Sequence, residues 1–236
     1  MEKPNNQGSL PSPALPKRIH FIFLQLFFKL LYHQFAWMYD WVASLVSLGA
    51  WQKWVSSVLP YLVGPRILEI GFGPGHLQVA INQKGITPYG LDESRQMAHI
   101  THKRLASLGL PSNLIRGDAQ NLPFTDNCLN QVVMTFPAEY VLNLSTLIEI
   151  HRVLIDGGVA IMLPLAWITG RKPLERLAGW VNRITGEAPE WDERILEPIK
   201  TAGFEISWDI LDFKTSKFLI VRMYKTLPSN QGSMSI

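Results

Sequence analysis

The stretch that decides the fold is Arg66-Ile67-Leu68-Glu69-Ile70-Gly71-Phe72-Gly73-Pro74-Gly75-His76-Leu77. Its first part, residues 67–70, is a short apolar run interrupted by one acid, which predicts a buried parallel strand. Glycines follow at alternate positions, and an apolar pattern at helical spacing begins at Leu77. The stretch therefore predicts a strand, a tight turn and a helix N-terminus, which together form a nucleotide-binding construction.

The spacing of the glycines separates two kinds of nucleotide site. Glycine lacks a Cβ atom, so the backbone can turn sharply and a ligand can approach it closely. The dinucleotide fingerprint G-x-G-x-x-G requires its third glycine at position 76, where this chain has His76. The pattern is instead Glu-x-Gly-x-Gly-x-Gly, formed by Glu69, Gly71, Gly73 and Gly75. This spacing disfavours an NAD-dependent oxidoreductase, as does the lack of any Tyr with a Lys four residues later.

This pattern resembles the first motif of class I S-adenosylmethionine-dependent methyltransferases, in which the glycine turn holds the amino-acid part of the cofactor. The resemblance continues in order through residues 88–92, 114–124 and 149–158 and covers about residues 39–224. It is closest to the ubiquinone/menaquinone-type (methyltransferase domain 11-like) small-molecule methyltransferases. It implies S-adenosyl-L-methionine as cofactor and an α/β fold. That fold is a Rossmann-like doubly wound, mostly parallel seven-stranded sheet with an antiparallel C-terminal strand.

An acid follows the second predicted strand, residues 88–92, about 20 residues after the glycine turn. Nucleotide-binding α/β units place a carboxylate there to accept hydrogen bonds from the ribose hydroxyls, and Asp92 has this position. The resemblance implies the same role and implies that Met97 lines the adenine side. The alternative is that Asp92, beside Glu93 and Ser94, only caps the next helix.

A second acid, Asp118, follows a strand that ends at Arg116. The segment around it resembles the family's GDA-x-x-LPF motif. The resemblance implies that Asp118 accepts from the adenine amino group and that the next backbone N–H, that of Ala119, meets a ring nitrogen. The alternative is an Asx-turn, which explains Asp118 alone. It does not explain the Leu-Pro-Phe sequence at residues 122–124.

The carboxyl end of the fourth predicted strand, residues 130–136, faces both cofactor and acceptor in this fold. Thr135 is therefore a candidate cofactor contact. Glu139 and Tyr140, which follow the strand, are candidates for a general base, and His76 is a more distant one. The alternatives are an exposed acid for Glu139 and core packing for Tyr140. No catalytic triad is evident, and a sulfonium methyl needs alignment more than a nucleophilic side chain.

Composition excludes several classes of function. The chain has 236 residues, a net charge of +3 and a pI of about 9.0, and its 22 Lys and Arg residues are scattered. It therefore carries no nucleic-acid footprint. The single cysteine, Cys128, excludes an internal disulfide and a cysteine-rich metal site, so no metal is predicted. This cysteine content is compatible with a cytoplasmic location.

The chain divides into a core and less regular flanks. Residues 1–16 are rich in Pro, Asn, Ser and Gly and predict a disordered leader. Residues 17–62 predict an apolar or amphipathic helical extension, and residues 63–226 the methyltransferase domain. Within that domain, residues 166–195 predict a helical insert or cap over the acceptor site. Residues 227–236 predict a disordered tail.

The apolar run at residues 19–36 has two interpretations. Gln25, Lys29 and His33 recur every four residues and form one polar stripe on an otherwise apolar helix. The stripe and the absence of a small-x-small cleavage site argue against a transmembrane helix and a signal peptide. The helix either packs over the domain or a partner, or lies peripherally on the inner face of the membrane, with contact through residues 17–41.

The predicted function is methyl transfer from S-adenosyl-L-methionine to a small molecule. The high apolar and aromatic content favours an apolar acceptor, such as a quinol precursor or a lipid-like molecule. An alternative is a membrane-associated or partner-binding protein with a non-catalytic S-adenosylmethionine pocket. The sequence does not indicate an oligomeric state.

Overall fold

The computed structural model describes residues 51–137, 139–169, 196–213 and 216–226. The predicted leader, most of the helical extension, most of the insert and the C-terminal tail lie outside these residues. The interpretations of residues 17–41 are therefore expectations from sequence.

The described residues form five α-helices, two short 3₁₀ helices and seven strands. The helices are α1 Trp51–Ser56, α2 His76–Asn82, α3 Arg95–Ser107, α4 Leu144–Val153 and α5 Glu197–Thr201, and the 3₁₀ helices span Leu59–Tyr61 and Glu139–Leu142. The strands are β1 Ile67–Ile70, β2 Tyr89–Asp92, β3 Asn113–Arg116, β4 Leu129–Thr135, β5 Leu154–Ile168, β6 Phe204–Phe213 and β7 Ser216–Lys225.

The strands form one sheet in the order β3-β2-β1-β4-β5-β7-β6. Strands β1 to β5 pair in parallel, and β7 runs antiparallel between β5 and β6. This confirms the predicted doubly wound fold with its reversed C-terminal strand. From β1 the chain adds strands β2 and β3 on one side and then crosses to the other side with β4. Ligands bind beside the carboxyl ends of strands at such a switch point.

Both faces of the sheet are covered, which is why β1 is apolar almost throughout. All four residues of β1 are buried. Leu68 and Ile70 pack into one core cluster with α4 and α5, and Ile67 packs into another with α1 and α2. Burial on both sides holds the ends of the central strands in fixed positions, and the functional groups lie at those ends.

Strand β5 contains an internal loop. The sequence Asp156-Gly157-Gly158 is typical of a turn, and the pairing with β4 moves across it from Leu129/Leu154 to Gln131/Val159. At its other end β5 pairs with β7 as far as Ile168 opposite Ser216. Residues 166–168, which the sequence assigned to the insert, are therefore part of the sheet.

In the part of the chain that the structure describes, no helix has the length and apolar character needed to cross a membrane.

Candidate functional site

The glycine turn after β1 has a backbone that other residues adopt rarely. Gly71, Gly73 and Gly75 have φ angles of 72°, 50° and 82°, in the left-handed region that favours glycine. A Cβ atom on Gly75 would lie 2.4 Å from Cγ2 of Thr101 on α3, and the Thr101 hydroxyl donates to the Gly73 carbonyl at 2.7 Å. The turn is therefore held tightly against α3 by contacts that only glycine at position 75 permits.

Asp92, at the end of β2, is tied to this turn. One carboxylate oxygen accepts from the Gly73 N–H at 2.9 Å and the other from the Ser94 N–H at 2.8 Å. The residue is only 4% exposed, and burial raises the pKa of its carboxyl while these two backbone hydrogen bonds lower it. Each carboxylate oxygen offers about two acceptor positions, so both keep capacity for a further donor such as a ribose hydroxyl.

The helix cap that competed with the ribose role belongs to a different residue. Ser94 is the N-cap of α3, and its hydroxyl accepts from the Met97 N–H at 3.3 Å. Met97 is fully buried and packs with Phe72 of the glycine turn. The Asp92 carboxylate is thus not needed to cap the helix.

Glu69 lies in β1 below the glycine turn and is 1% exposed. One of its carboxylate oxygens accepts from Nε2 of Gln78 on α2 at 2.8 Å. Burial raises the pKa of the Glu69 carboxyl to about 8; the hydrogen bond from Gln78 lowers it, and the charge of Asp92 adds to the increase. Nothing in the sequence pattern marks Gln78 as a partner, since its position is simply one turn into an apolar helix.

Two depressions follow the carboxyl edge of the sheet, one on each side of Asp92. The first is lined by Trp51, Val55, Glu69, Gly71, Phe72, Gly73, Pro74, His76, Leu77 and Thr135. The second is lined by Glu93, Arg116, Gly117 and Asp118. Together with Asp92 the two depressions form what we call the edge groove.

Asp118 lies in the second depression and also forms the Asx-turn considered from sequence. One of its carboxylate oxygens accepts from the Gln120 N–H at 2.9 Å, and its carbonyl accepts from the Asn121 N–H at 3.1 Å. The other carboxylate oxygen remains for an exocyclic amine. Ala119 is buried, 3% exposed, directly behind this turn.

A charged clamp on α4 holds the loop after Asp118. Arg152 contacts both carboxylate oxygens of Glu149 at 2.7 Å, and donates to the carbonyls of Leu122 at 3.1 Å and Phe124 at 2.8 Å. It also pairs with Asp126 at 2.7 Å. Glu149 in turn accepts from the Leu122 N–H at 2.8 Å, and the hydrogen bond from Arg152 lowers the pKa of its carboxyl. The Glu-x-x-Arg sequence thus shapes the adenine side of the groove.

At the end of β4, Thr135 lines the first depression and Phe136 departs from the predicted strand. Phe136 has a φ of 48°, a conformation that costs energy for a non-glycine residue and is common at functional sites. Its ring stacks on Trp51 with centroids 4.6 Å apart and lies 6.2 Å from the ring of Trp54. Trp51 lines the first depression, and it packs with Phe136 and the buried Trp54 into what we call the aromatic wall.

The candidate bases differ in how the structure places them. The Tyr140 hydroxyl would lie 3.3 Å from a Cβ atom on Gly71, and burial, followed by nearby acidic charges, raises its pKa to about 12. A phenol with this pKa stays protonated at neutral pH, which does not support a general-base role. His76 lines the first depression and contacts Arg104. The Glu139 side chain lies outside the described residues, so its role stays a prediction.

The edge groove fits a sulfonium nucleoside. Along it lie, in this order, the buried acid Glu69, the carboxylate of Asp92 and the carboxylate of Asp118, which suit an ammonium group, a diol and an exocyclic amine. The left-handed glycine turn leaves room for close approach beside them, since no Cβ atom occupies Gly71 or Gly73. Among the residues that the structure describes, no cluster of His, Cys, Asp and Glu has the makeup of a metal site.

This fold and groove define the class I S-adenosylmethionine-dependent methyltransferases. Residues 68–162 match the family described as Methyltransferase domain, so this part of the chain is similar to that class. S-adenosyl-L-methionine is the cofactor of the class, as the resemblance implied.

Curated relatives narrow the comparison further. The chain is 34% identical over 133 residues to demethylmenaquinone methyltransferase from Staphylococcus epidermidis, covering 53% of this chain and 54% of that protein. It is 28% identical over 151 residues to ubiquinone/menaquinone biosynthesis C-methyltransferase UbiE from Blochmanniella floridana, covering 60% and 59%. The matches thus span little more than half the length of these relatives.

Solved structures share the fold at low sequence identity. An S-adenosylmethionine-dependent methyltransferase from Methanococcus maripaludis superposes with a TM-score of 0.58 and 20% identity, covering 83% of this chain and 94% of that one. Geranyl diphosphate C-methyltransferase from Streptomyces coelicolor, solved with S-adenosyl-L-homocysteine, has a TM-score of 0.54 and 14% identity, covering 73% and 78%. At these identities the likeness concerns the fold.

Proposed function

We propose that this protein transfers the methyl group of S-adenosyl-L-methionine to a small, apolar acceptor. The observation that carries the proposal is the hydrogen bond from the Gly73 N–H to Asp92. This contact joins the glycine turn and the ribose carboxylate into one preformed groove. The site therefore does not need to assemble when the ligand arrives, which lowers the cost of binding.

In this proposal each of the three acids along the groove binds a different part of the cofactor. Asp92 accepts from the ribose hydroxyls, and Asp118 accepts from the adenine amino group. Glu69 accepts from the ammonium of the amino-acid part, whose positive charge favours the ionised form of the carboxyl. The cofactor supplies a methyl group that its sulfonium already activates. The protein then has to orient the acceptor in line with that methyl group and exclude water.

The aromatic wall supports an apolar acceptor. Trp51 of α1 lines the first depression and stacks on Phe136, which follows β4, and an aromatic ring offers a large apolar surface to a ligand. The names of the curated relatives point to quinone biosynthesis, which is compatible with such a ligand. We propose a quinol precursor or another lipid-like molecule, without a side-chain base being required.

Binding is the first test of the proposal. In isothermal titration calorimetry the wild-type protein is expected to bind S-adenosyl-L-homocysteine and to give no heat with NAD. Asp92→Asn should weaken that binding about tenfold or more, because the amide replaces one acceptor oxygen with a donor. Glu205→Asn, which changes an exposed acid on β6, is the control and should bind as the wild type does. Wild-type affinity in Asp92→Asn would contradict the groove assignment.

Turnover is the second test. The full chain is incubated with methyl-labelled S-adenosylmethionine and a panel of quinols, prenylated phenols and lipids, and the label extracted into the organic phase is counted. Transfer to an apolar acceptor supports the proposal, and transfer only to water-soluble acceptors contradicts the acceptor class. Intact S-adenosylhomocysteine binding with no transfer across the panel would favour the alternative of a non-catalytic pocket.

A further inference from the structure

The Tyr140 hydroxyl lies above the glycine turn at a specific place. Its oxygen would be 3.3 Å from a Cβ atom on Gly71, so the missing side chain at Gly71 is what lets the phenol reach this position. Within the described residues this hydroxyl makes no hydrogen bond, although the ring is partly buried and packs against the core. Its oxygen is therefore able to contact an atom of a bound ligand.

The order of the subsites shows which ligand atom that is. Gly71 lines the first depression together with Glu69 and Thr135, which is the amino-acid end of the groove. Asp92, the ribose carboxylate, comes next along the edge. The Tyr140 hydroxyl lies at Gly71, and the Gly71 N–H donates to the carbonyl of Leu91, the residue before Asp92, at 2.8 Å. The hydroxyl therefore lies at the junction between the two halves. In S-adenosylmethionine the atom at that junction is the positively charged sulfur.

The charges around this hydroxyl favour a cation. After burial, three carboxylates raise the pKa of Tyr140: Asp92, Glu93 and Asp118. They lie on or beside β2 and β3, and a low-dielectric cleft lined by one sign of charge attracts the opposite sign. A phenol that stays protonated presents an oxygen with lone pairs, which is the negative end of its dipole.

We propose that the Tyr140 hydroxyl contacts the sulfonium centre and makes the groove prefer S-adenosylmethionine over its uncharged demethylated product. This inference rests on the proposed function and assigns one of its specificity residues. Tyr140 acts here as a neutral group throughout, and no proton is transferred. The consequence is that the affinity for the product, relative to that for the substrate cofactor, is lower than it would be without this hydroxyl.

The test is a cycle of two proteins and two ligands. Dissociation constants for S-adenosylmethionine and S-adenosylhomocysteine are measured by calorimetry for the wild type and Tyr140→Phe. The variant removes only the hydroxyl, and circular dichroism with thermal unfolding checks that it folds. In the variant, the dissociation constant for S-adenosylmethionine divided by that for S-adenosylhomocysteine is expected to rise about threefold to fivefold. A weak C–H···O contact contributes an effect of this size. The control is Tyr89→Phe, which removes a phenol hydroxyl from the same core cluster at the far end of β2.

Each outcome decides between the hypotheses. A changed ratio in Tyr140→Phe and an unchanged ratio in Tyr89→Phe support the proposal. If Tyr140→Phe binds both ligands equally more weakly, the hydroxyl contacts the ribose or serves packing, and the proposal is overturned. Wild-type dissociation constants for both ligands in Tyr140→Phe would also overturn the proposal. If the wild type itself binds neither ligand, the proposed function fails and not the role of Tyr140 alone.

Discussion

Replacing Glu69 by Gln should stabilise the protein and weaken cofactor binding at the same time. Glu69 is 1% exposed, and its carboxyl pKa rises from 4.5 to about 8, mainly because of burial. In the unfolded chain the group is ionised above pH 4.5, whereas in the folded protein it holds its proton up to about pH 8. The folded state therefore binds more protons in this range, and stability falls as pH rises through it.

The size of the effect follows from the shift. One pKa unit corresponds to about 1.36 kcal/mol. The penalty for the carboxyl is absent below pH 4.5, reaches about 3 kcal/mol at pH 7 and levels off near about 5 kcal/mol above pH 8. The amide of the Gln variant has no ionised form, and its oxygen can still accept from Gln78. The penalty is therefore absent in the variant.

The measurement is urea unfolding of both proteins at pH 5, 6, 7 and 8, with and without S-adenosylhomocysteine. The difference in unfolding free energy between variant and wild type should grow by about 4 kcal/mol between pH 5 and pH 8. The variant should gain less from the ligand, because Glu69 is the group assigned to the ammonium. Glu205→Gln, at an exposed position on β6, should unfold in parallel with the wild type. Parallel curves for Glu69→Gln would refute the reasoning.

Two further predictions concern the structure that supports the groove. Gly75 and Gly85 both have a φ of 82°, but a Cβ atom at Gly85 has nothing within 4 Å, whereas one at Gly75 would lie 2.4 Å from Thr101. Gly85→Ala should lower the free energy of unfolding in urea by about 1 kcal/mol, from backbone strain alone. Gly75→Ala should lower it by about 3 kcal/mol and abolish S-adenosylhomocysteine binding. Equal losses of stability would contradict the packing argument. Arg152→Lys keeps the charge but loses the planar guanidinium that contacts both carboxylate oxygens of Glu149. It should lower the free energy of unfolding by about 2 kcal/mol and raise the rate of proteolysis in the loop at residues 120–126. An unchanged cleavage pattern would show that the clamp does not hold that loop.

Local patterns were sufficient to predict much of the fold. The apolar run of β1, the left-handed glycines after it and the acid at the end of β2 are set by neighbouring residues, so their spacing predicts them. The reversed strand β7 was expected from the resemblance to the methyltransferase fold. The length of β5 could not be predicted, because its last residues are in the sheet only through their pairing with β7, which extends to Ser216.

The site could be predicted only in part. Asp92 and Asp118 were found because each follows a strand at a characteristic distance. Gln78 was not found, since no local pattern marks its contact with Glu69. The stacking of Phe136 on Trp51 was not found either, since these residues lie far apart in sequence. The strained backbone of Phe136 was likewise invisible, because the sequence there reads as a continuous strand.

The sequence by itself determined the class of fold, the cofactor turn and the two acids along the sheet edge, because strand burial, glycine conformation and motif spacing are properties of short segments. Only the tertiary structure decided the charge state of Glu69 and the position of Tyr140 above Gly71. Desolvation and charge interactions depend on distances through space. They become defined only when β1, β2 and the 3₁₀ helix after β4 meet at one edge.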